Sequence, residues 1–440
     1  MTAVKNLSIH FASEIRRTGT LESTPQRLVV ELSRCLHLGG APAYELEQRM
    51  EQVSQQVGVP AHFFSTPTSL FVTFDDDQDS TRLIRVSPVA VNLAMLAELY
   101  ALYDDISEGR LGVQDAWDRL QVIKQTNYEY PLVLSVLAYG MASAGVGVII
   151  GGSQTVVLAA GLIGLVIGCL SLFCEWRRFP EHLNNVLGGF VATALASLIQ
   201  WFYPAATIET TLLAGLIFLV PGLQFTVSIN ELATQNLASG TARMAGALTT
   251  FLTIIFGVVM GYGVAKTFFV NTPVDASPAM GVGWGMLLLV PLAISFRILF
   301  RARRRDGIWM LLSICIAYGT VVSADVFLDP PAAAWTAALA VGIASNLFAR
   351  VKNQPASIML MPGLLLLVPG SMGFSGVSAI MIHENLSGGV RTVATMLLVA
   401  VSIVAGLLVA NVIMPTEKQM RGLAGSEPLV DLEGEGGSGG

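Results

Sequence analysis

The spacing of apolar residues changes at about residue 128. Before it, they recur on one face of short segments. Leu46, Met50, Val53 and Val57 fall three or four apart, as do Val113, Ala116, Leu120 and Ile123. That spacing predicts amphipathic helices over about 28–36, 42–57, 91–106 and 113–124. Residues 61–65, 70–74 and 82–86 read as short strands, set off by Pro67 and by Asp75-Asp76-Asp77-Gln78-Asp79, an acidic run that reads as a solvated turn. After 128 the apolar runs are continuous and about 20 residues long, enough to cross a bilayer as helices. Ten can be marked: 130–150, 154–173, 186–204, 209–229, 242–264, 280–299, 307–326, 332–349, 357–382 and 391–413.

The fourth and ninth runs carry the same interruption. Leu219-Val220-Pro221-Gly222 breaks the fourth, and Leu367-Val368-Pro369-Gly370 the ninth. Each is followed by a more polar helix, then by an Asn-Leu-small-Gly segment (236–240 and 385–389), then by an arginine that opens the next apolar run. Pro221 to Arg243 and Pro369 to Arg391 are both 22 residues. Proline lacks the backbone donor and clashes with the preceding turn, so Pro-Gly within a spanning helix breaks or kinks it. Paired broken helices in two halves of a membrane chain point to a transport site. Ten spans divide into five and five, and an odd number per repeat forces opposite orientations. The predicted fold is therefore a mainly α, polytopic membrane protein of two inverted five-helix repeats, preceded by a small α+β cytosolic domain. The expected segments are 1–25 (disordered), 26–128 (cytosolic domain), 129–268 and 279–414 (the two repeats), and 415–440, a flexible cytosolic tail whose Gly-rich end resembles a fusion remnant.

Charge supports this division. Of the 25 Lys/Arg and 31 Asp/Glu, residues 1–128 hold 11 and 16. With the amino-terminal region in the cytoplasm, twelve basic residues of the apolar part fall on the inner side, including Arg177, Arg178, Arg243 and the Arg301–Arg305 cluster, and only Lys266 and Arg391 on the outer. That is the bias the positive-inside rule demands. Residues 1–25 lack the apolar core of a signal peptide, so the expected location is the inner (plasma) membrane with both termini cytoplasmic. The four scattered cysteines read as packing thiols rather than a disulfide or zinc framework. Glycines four apart, such as Gly164/Gly168 and Gly257/Gly261, suit close helix packing.

Candidate chemistry is sparse. There is no nucleophile elbow, no zinc-protease motif and no phosphate-binding loop, so no catalytic residues, metal or cofactor are expected. His37 and His62 read as structural. Glu45, Glu47 and Arg49 read either as a ligand-binding cluster or as a solvated helix face. Near-membrane acids carry a functional hypothesis because a charge within hydrocarbon is costly. Glu231, ten residues past Pro221 and near the inner surface, and Glu384 are the candidates for proton coupling, with an interfacial acid paired with Arg243 or in water as the structural alternative for Glu231. Pro221, Gly222, Pro369 and Gly370 are expected to shape a substrate site. Gln224, Asn230 and Ser371 are its expected polar contacts, with half-helix termini facing the charged ends of a solute.

The motifs have a family likeness. Gly39-Gly40-Ala41-Pro42-Ala43-Tyr44-Glu45-Leu46-Glu47, Pro221-Gly222 through Asn230-Glu231-Leu232, Ser239-Gly240-Thr241-Ala242-Arg243, and Leu367-Val368-Pro369-Gly370-Ser371 together resemble the threonine/serine exporter family of the ThrE type. The likeness runs in order over about 26–414, with Glu231 where that family usually has Asp. It implies proton-driven export of threonine, serine and similar small neutral amino acids by alternating access. The implied partners are those amino acids, protons and the lipid bilayer, with no nucleic acid; a homo-oligomer is compatible. A passive channel or facilitator for small polar solutes, or a membrane-tethered enzyme using the amino-terminal domain, are the alternatives.

Overall fold

The computed structural model describes residues 24–75, 81–86, 91–126, 128–268, 278–367, 370–381 and 386–415. The amino-terminal region begins with α1 (Thr24–Gly39) and α2 (Ala43–Gln56). Gly40, in the left-handed region at φ 92°, joins them, and Pro42 caps α2 with the fixed φ that suits a helix start. Strands β1 (Ala61–Thr66), β2 (Ser69–Phe74) and β3 (Thr81–Arg85) form one antiparallel sheet in the order β1-β2-β3. The register pairs Thr66 with Ser69 across a two-residue turn, and Leu70 with Ile84. Leu70, Val72 and Phe74 point inward on alternate positions, as a half-buried strand requires. Helices α3 (Leu93–Ser107) and α4 (Val113–Gln125) complete the region. Ser54 Oγ accepts from Ala61 N at 3.2 Å and ties α2 to the sheet.

Among the described residues, the apolar part contains helices and connecting turns and no strand. It comprises α5 (Leu132–Ile149), α6 (Gln154–Arg177), α7 (Glu181–Phe202), α8 (Ile208–Gly215), α9 (Gly222–Ala233), α10 (Leu237–Phe268), α11 (Val282–Leu299), α12 (Gly307–Ala324), α13 (Pro330–Lys352), α14 (Ser357–Leu367), α15 (Gly370–Met381) and α16 (Leu386–Ile413). Among the described residues, eight stretches are long and apolar enough to cross a membrane, and Gly283–Leu299 is a shorter apolar helix. The expected fourth run is not one helix: turns over Leu216–Val220 separate α8 from α9, and Pro221 sits at the cap of α9. Of the expected ninth run, α14 and α15 are described, and Val368 and Pro369 between them lie outside the described residues. Arg243, expected to open the next apolar run, lies inside α10, because helix 237–268 begins well before its apolar stretch.

The two regions share one hydrophobic cluster. Leu93, Leu96 and Leu99 of α3 belong to it together with Phe296, Phe300, Met310 and Ile358. The start of α3 is joined to the end of α11 by main-chain bonds. Leu93 N donates to Phe300 O at 3.0 Å, and Ala94 N to Arg301 O at 3.2 Å. The unpaired donors of one helix end thus meet the unpaired acceptors of another. Arg303 adds bonds to Glu98 (3.3 Å) and Asp306 (2.9 Å), and the Tyr130 hydroxyl donates to Ala302 O at 2.6 Å. All four cysteines are free. Cys35 and Cys174 are buried, with burial pushing the Cys35 thiol up to about 12. Cys169 and Cys315, expected to be packed inside, are exposed on the outer faces of their helices.

Helices α7 and α10 approach through glycine. A Cβ at Gly257 would overlap the Val186 carbonyl, and one at Gly189 the Ile254 carbonyl. A Cβ at Gly246 of the same helix α10 would meet nothing within 4 Å. Gly257→Ala is therefore expected to destabilise the protein by about 1–3 kcal/mol. Gly246→Ala is expected to be neutral or to stabilise by up to about 1 kcal/mol, the ordinary helix preference for alanine. Thermal unfolding of the two purified variants beside the parent checks the opposite signs.

Candidate functional site

The break in the fourth run is enclosed by protein. Leu216, Val220, Pro221 and Gly222 are all buried. Pro221 cannot donate, and α9 restarts behind it with Phe225 N donating to Pro221 O at 3.1 Å. Irregular backbone is tolerated at membrane depth only where it is shielded from lipid in this way. Gly370 opens α15 and is also buried. Pro369 and Glu384 lie outside the described residues, as does the side chain of Ser371.

Helix α9 presents different chemistry on its different faces. Leu223, Thr226, Val227 and Asn230, at helical spacing, line a cavity of about 170 Å³. The same cavity is bounded by α14 (Ser357, Leu360, Leu364), by Asn346 and Asn411 of α13 and α16, and by the amino-terminal helices α2 and α3. Gln224 is exposed and does not line it. Six residues separate Gln224 from Asn230, which places them on different faces of the helix. The expectation that both contact one solute therefore does not hold in this arrangement. Ser228 is buried and donates to the Phe225 carbonyl at 2.7 Å.

Glu231 points the other way and is fully buried. Its Oε2 accepts from Arg243 Nε (3.0 Å) and from Ser239 Oγ (3.0 Å), and its Oε1 accepts from Arg243 Nη2 (3.1 Å). This is a two-point guanidinium–carboxylate pair with a third donor, the arrangement that holds a carboxylate most firmly. Of the two alternatives open from sequence, the paired acid is the one observed, and it is not in water. The start of α10 is close-packed here: a Cβ at Gly240 would press on Leu232. The Ser-Gly-x-x-Arg spacing therefore has a local purpose. Ser239 and Arg243, four apart, meet the same carboxylate, and Gly240 lets α9 come near.

The amino-terminal region supplies the rest of the polar surroundings. His37 hydrogen-bonds Ser65 Oγ (3.1 Å) and the Pro67 carbonyl (3.3 Å). Burial holds it below its usual range, with Arg243 pushing the same way. Glu47 accepts from Ser65 N at 2.6 Å, and burial raises its carboxyl above the usual carboxylate value. The Asn230 amide sits against the Tyr44 hydroxyl, which burial raises well above its ordinary value. His62 is exposed, between Glu51 (3.6 Å) and Asp75 (3.7 Å).

The Glu45–Arg49 face of α2 is not solvated. Both residues line the cavity. Arg49 Nε and Nη2 donate to Glu45 Oε1 at 3.2 and 2.6 Å. Its guanidinium lies 4.0 Å from the Tyr100 ring centroid and 4.8 Å from that of Tyr103. Sequence reasoning left this cluster undecided between ligand site and surface. The usable signal was the small-residue turn before it, which brings α2 against the membrane helices. Among the described residues, no group of His, Cys, Asp and Glu could hold a metal ion.

A family model described as "Putative threonine/serine exporter" matches residues 27–265, and one described as "Threonine/Serine exporter, ThrE" matches residues 286–413. The chain is also similar to pheromone-regulated membrane protein 10 of several yeasts. The Kluyveromyces lactis protein is 24% identical over 96% of this chain and 46% of its own length. That of Candida albicans is 25% identical over 95% and 40%, and that of Saccharomyces cerevisiae 25% over 88% and 50%. The chain thus spans half or less of the length of these relatives. No solved structure matches. Two family models that follow one another along a multi-pass helical chain, with the paired Leu-Val-Pro-Gly motifs and the Glu231–Ser239–Arg243 cluster within their bounds, place the protein plainly: it belongs to the threonine/serine exporter family.

Proposed function

We propose that the protein is a secondary active exporter of threonine, serine and similar small neutral amino acids, working by alternating access between two inverted five-helix repeats. In this reading α5–α10 and α11–α16 are the repeats, α8/α9 and α14/α15 are their fourth, broken spans, and both termini face the cytoplasm of an inner membrane. The observation that carries it is the cavity between α9, the half-helix after the break at Pro221, and α14, the segment that leads to Pro369 in sequence. Its membrane-side wall mixes apolar Leu223 and Leu360 with polar Thr226, Asn230 and Asn411. That mixture suits a small solute with a short side chain and two charged ends. Pro221, Gly222, Pro369 and Gly370 shape the path, and Asn230 contacts the solute. Gln224 serves on a part of the path this arrangement leaves away from the cavity, and Ser371 is a further polar contact.

Proton antiport supplies the driving force in this reading, with Glu231 as the carrier and Glu384 as a second acid. Glu231 is held by Arg243 and Ser239, so a carrier at this position works by exchanging those contacts. A carrier of that kind links protonation to movement of α9 against α10.

Proteoliposomes test the reading. Threonine is expected to accumulate against its own gradient when a pH gradient is imposed, and an uncoupler is expected to abolish the accumulation. Saturable flux that never exceeds the threonine gradient would instead establish a facilitator. Glu231→Gln is expected to lose gradient-driven accumulation. It leaves Arg243 without its carboxylate and is expected to lower stability by about 3–5 kcal/mol. Glu231→Asp keeps an acid at the position and is expected to retain coupling at a reduced rate. A folded Glu231→Gln protein with normal pH-dependent transport would remove Glu231 as the proton carrier.

A further inference from the structure

The cavity's cytosolic wall has no place in the transport reading so far. It comes from α2 and α3, and its chemistry is specific. Arg49 is a permanently charged group brought almost wholly inside, with 11% of its side chain exposed. One oxygen of Glu45 takes both Nε and Nη2. Nη1 is buried and has no hydrogen-bond partner. The Tyr100 and Tyr103 rings fix the guanidinium plane, and the Tyr103 hydroxyl is itself held by Gln52. Across the cavity, Ser357 Oγ at the start of α14 is also buried without a partner. Buried polar groups are nearly always satisfied, so two unsatisfied ones lining one cavity call for a polar occupant. At about 30 Å³ per water, the space of about 170 Å³ holds on the order of five waters. That is ample room for a small solute.

We propose that this cavity is a binding site for the α-carboxylate of a free amino acid, with Arg49 as the anion ligand, so that the amino-terminal region forms half of a substrate site closed by α9 and α14. The choice of an amino acid rests on the exporter reading. The carboxylate requirement rests on Arg49 alone. A guanidinium with an open N–H in a fixed plane recognises a planar oxyanion. Glu45 and the tyrosine faces beside it suit an ammonium group, which a zwitterion supplies and a simple organic acid does not. Leu360 and Leu223 leave an apolar corner for a short side chain. A merely structural Arg49–Glu45 pair would predict no ligand preference at all.

The test uses the full-length protein in liposomes. Ala356→Cys places a thiol on the cavity wall, in a background with the four native cysteines replaced. Maleimide labelling of that thiol is followed with threonine, with threoninamide, which lacks the carboxylate, and with N-acetylthreonine, which lacks the ammonium. Threonine is expected to slow labelling, threoninamide to have no effect, and N-acetylthreonine to act more weakly. Arg49→Gln is expected to raise the threonine concentration for half-protection and the transport KM together by about 10- to 100-fold, the range for a lost charged hydrogen bond. Arg49→Lys is expected to fall between. Protection by threoninamide equal to that by threonine overturns the proposal, and this arm needs no change at Arg49, so a misfolded variant cannot mask it. Unchanged KM and protection in a folded Arg49→Gln protein overturns it too, while wild-type flux leaves the exporter reading standing. Carboxylate-dependent protection without any wild-type threonine flux supports the site and removes the exporter reading. Absence of both flux and protection removes both.

Discussion

A chain that interrupts a helix inside an apolar layer must hide the interruption. Each backbone group released by the break has lost its helical partner, and hydrocarbon offers none. This constraint explains much of the arrangement around Pro221. The turns over 216–220 are wrapped by protein, with Gly215 seated against Ile163 of α6 so tightly that a Cβ there would overlap it. Phe218 stacks edge-on against Tyr139 and Phe296 at 5.5 and 5.8 Å, drawing α5 and α11 to the same spot. Phe225, one turn into α9, meets Phe251 of α10 edge-on at 6.3 Å. Neighbouring helices are thus recruited to a defect that one proline creates.

The same shielding makes the amino-terminal region part of the membrane architecture rather than an attachment to it. Its α3 is capped by main-chain carbonyls at the end of α11, and its α2 closes the cavity beside α9. Hydrogen bonds between main-chain groups do not depend on side-chain identity. They fix the angle at which α3 meets the membrane helices, while Arg303–Glu98 fixes the register. A region held so at two places can move only if the ends of α11 or α9 move with it. This gives the amino-terminal elements a mechanical link to the broken helix.

What could be read in the sequence divides by the range of the forces involved. The breaks were legible because proline and glycine act on their own turns. The helices and strands of the first 128 residues were legible from period alone: 113–124 is observed as Val113–Gln125 and 70–74 as Ser69–Phe74. Helix ends in the apolar part were not. The run expected over 186–204 is a helix from Glu181, and that over 242–264 begins at Leu237. Hydropathy marks where a helix meets hydrocarbon, whereas the helix itself continues through polar residues such as Asn184 and Ser239. Long-range partners were also hidden. Nothing near Arg49 in sequence announces that Ser357 and Asn411 will face it. The pairing of Glu231 with Arg243 was within reach because both lie in one short motif. The separation of Gln224 from Asn230 needed only helical arithmetic, but the direction of the cavity had to be known first.

Asn230 and Glu231 are adjacent in sequence and about 100° apart around α9. The first faces the cavity and Tyr44, and the second faces Arg243 on α10. A rigid helix cannot turn one of them without displacing the other. In the proposed exporter, a solute that draws Asn230 toward Arg49 strains the Glu231 pair, and a proton taken up at Glu231 frees Asn230. Neither event requires a long relay of contacts, because a single helical turn carries both groups. The Pro-Gly break supplies the hinge, since α9 is joined to α8 by turns and not by continuous helix. One acid beside one amide, directly after a break, is the arrangement by which the proposed exporter would tie solute binding to proton binding.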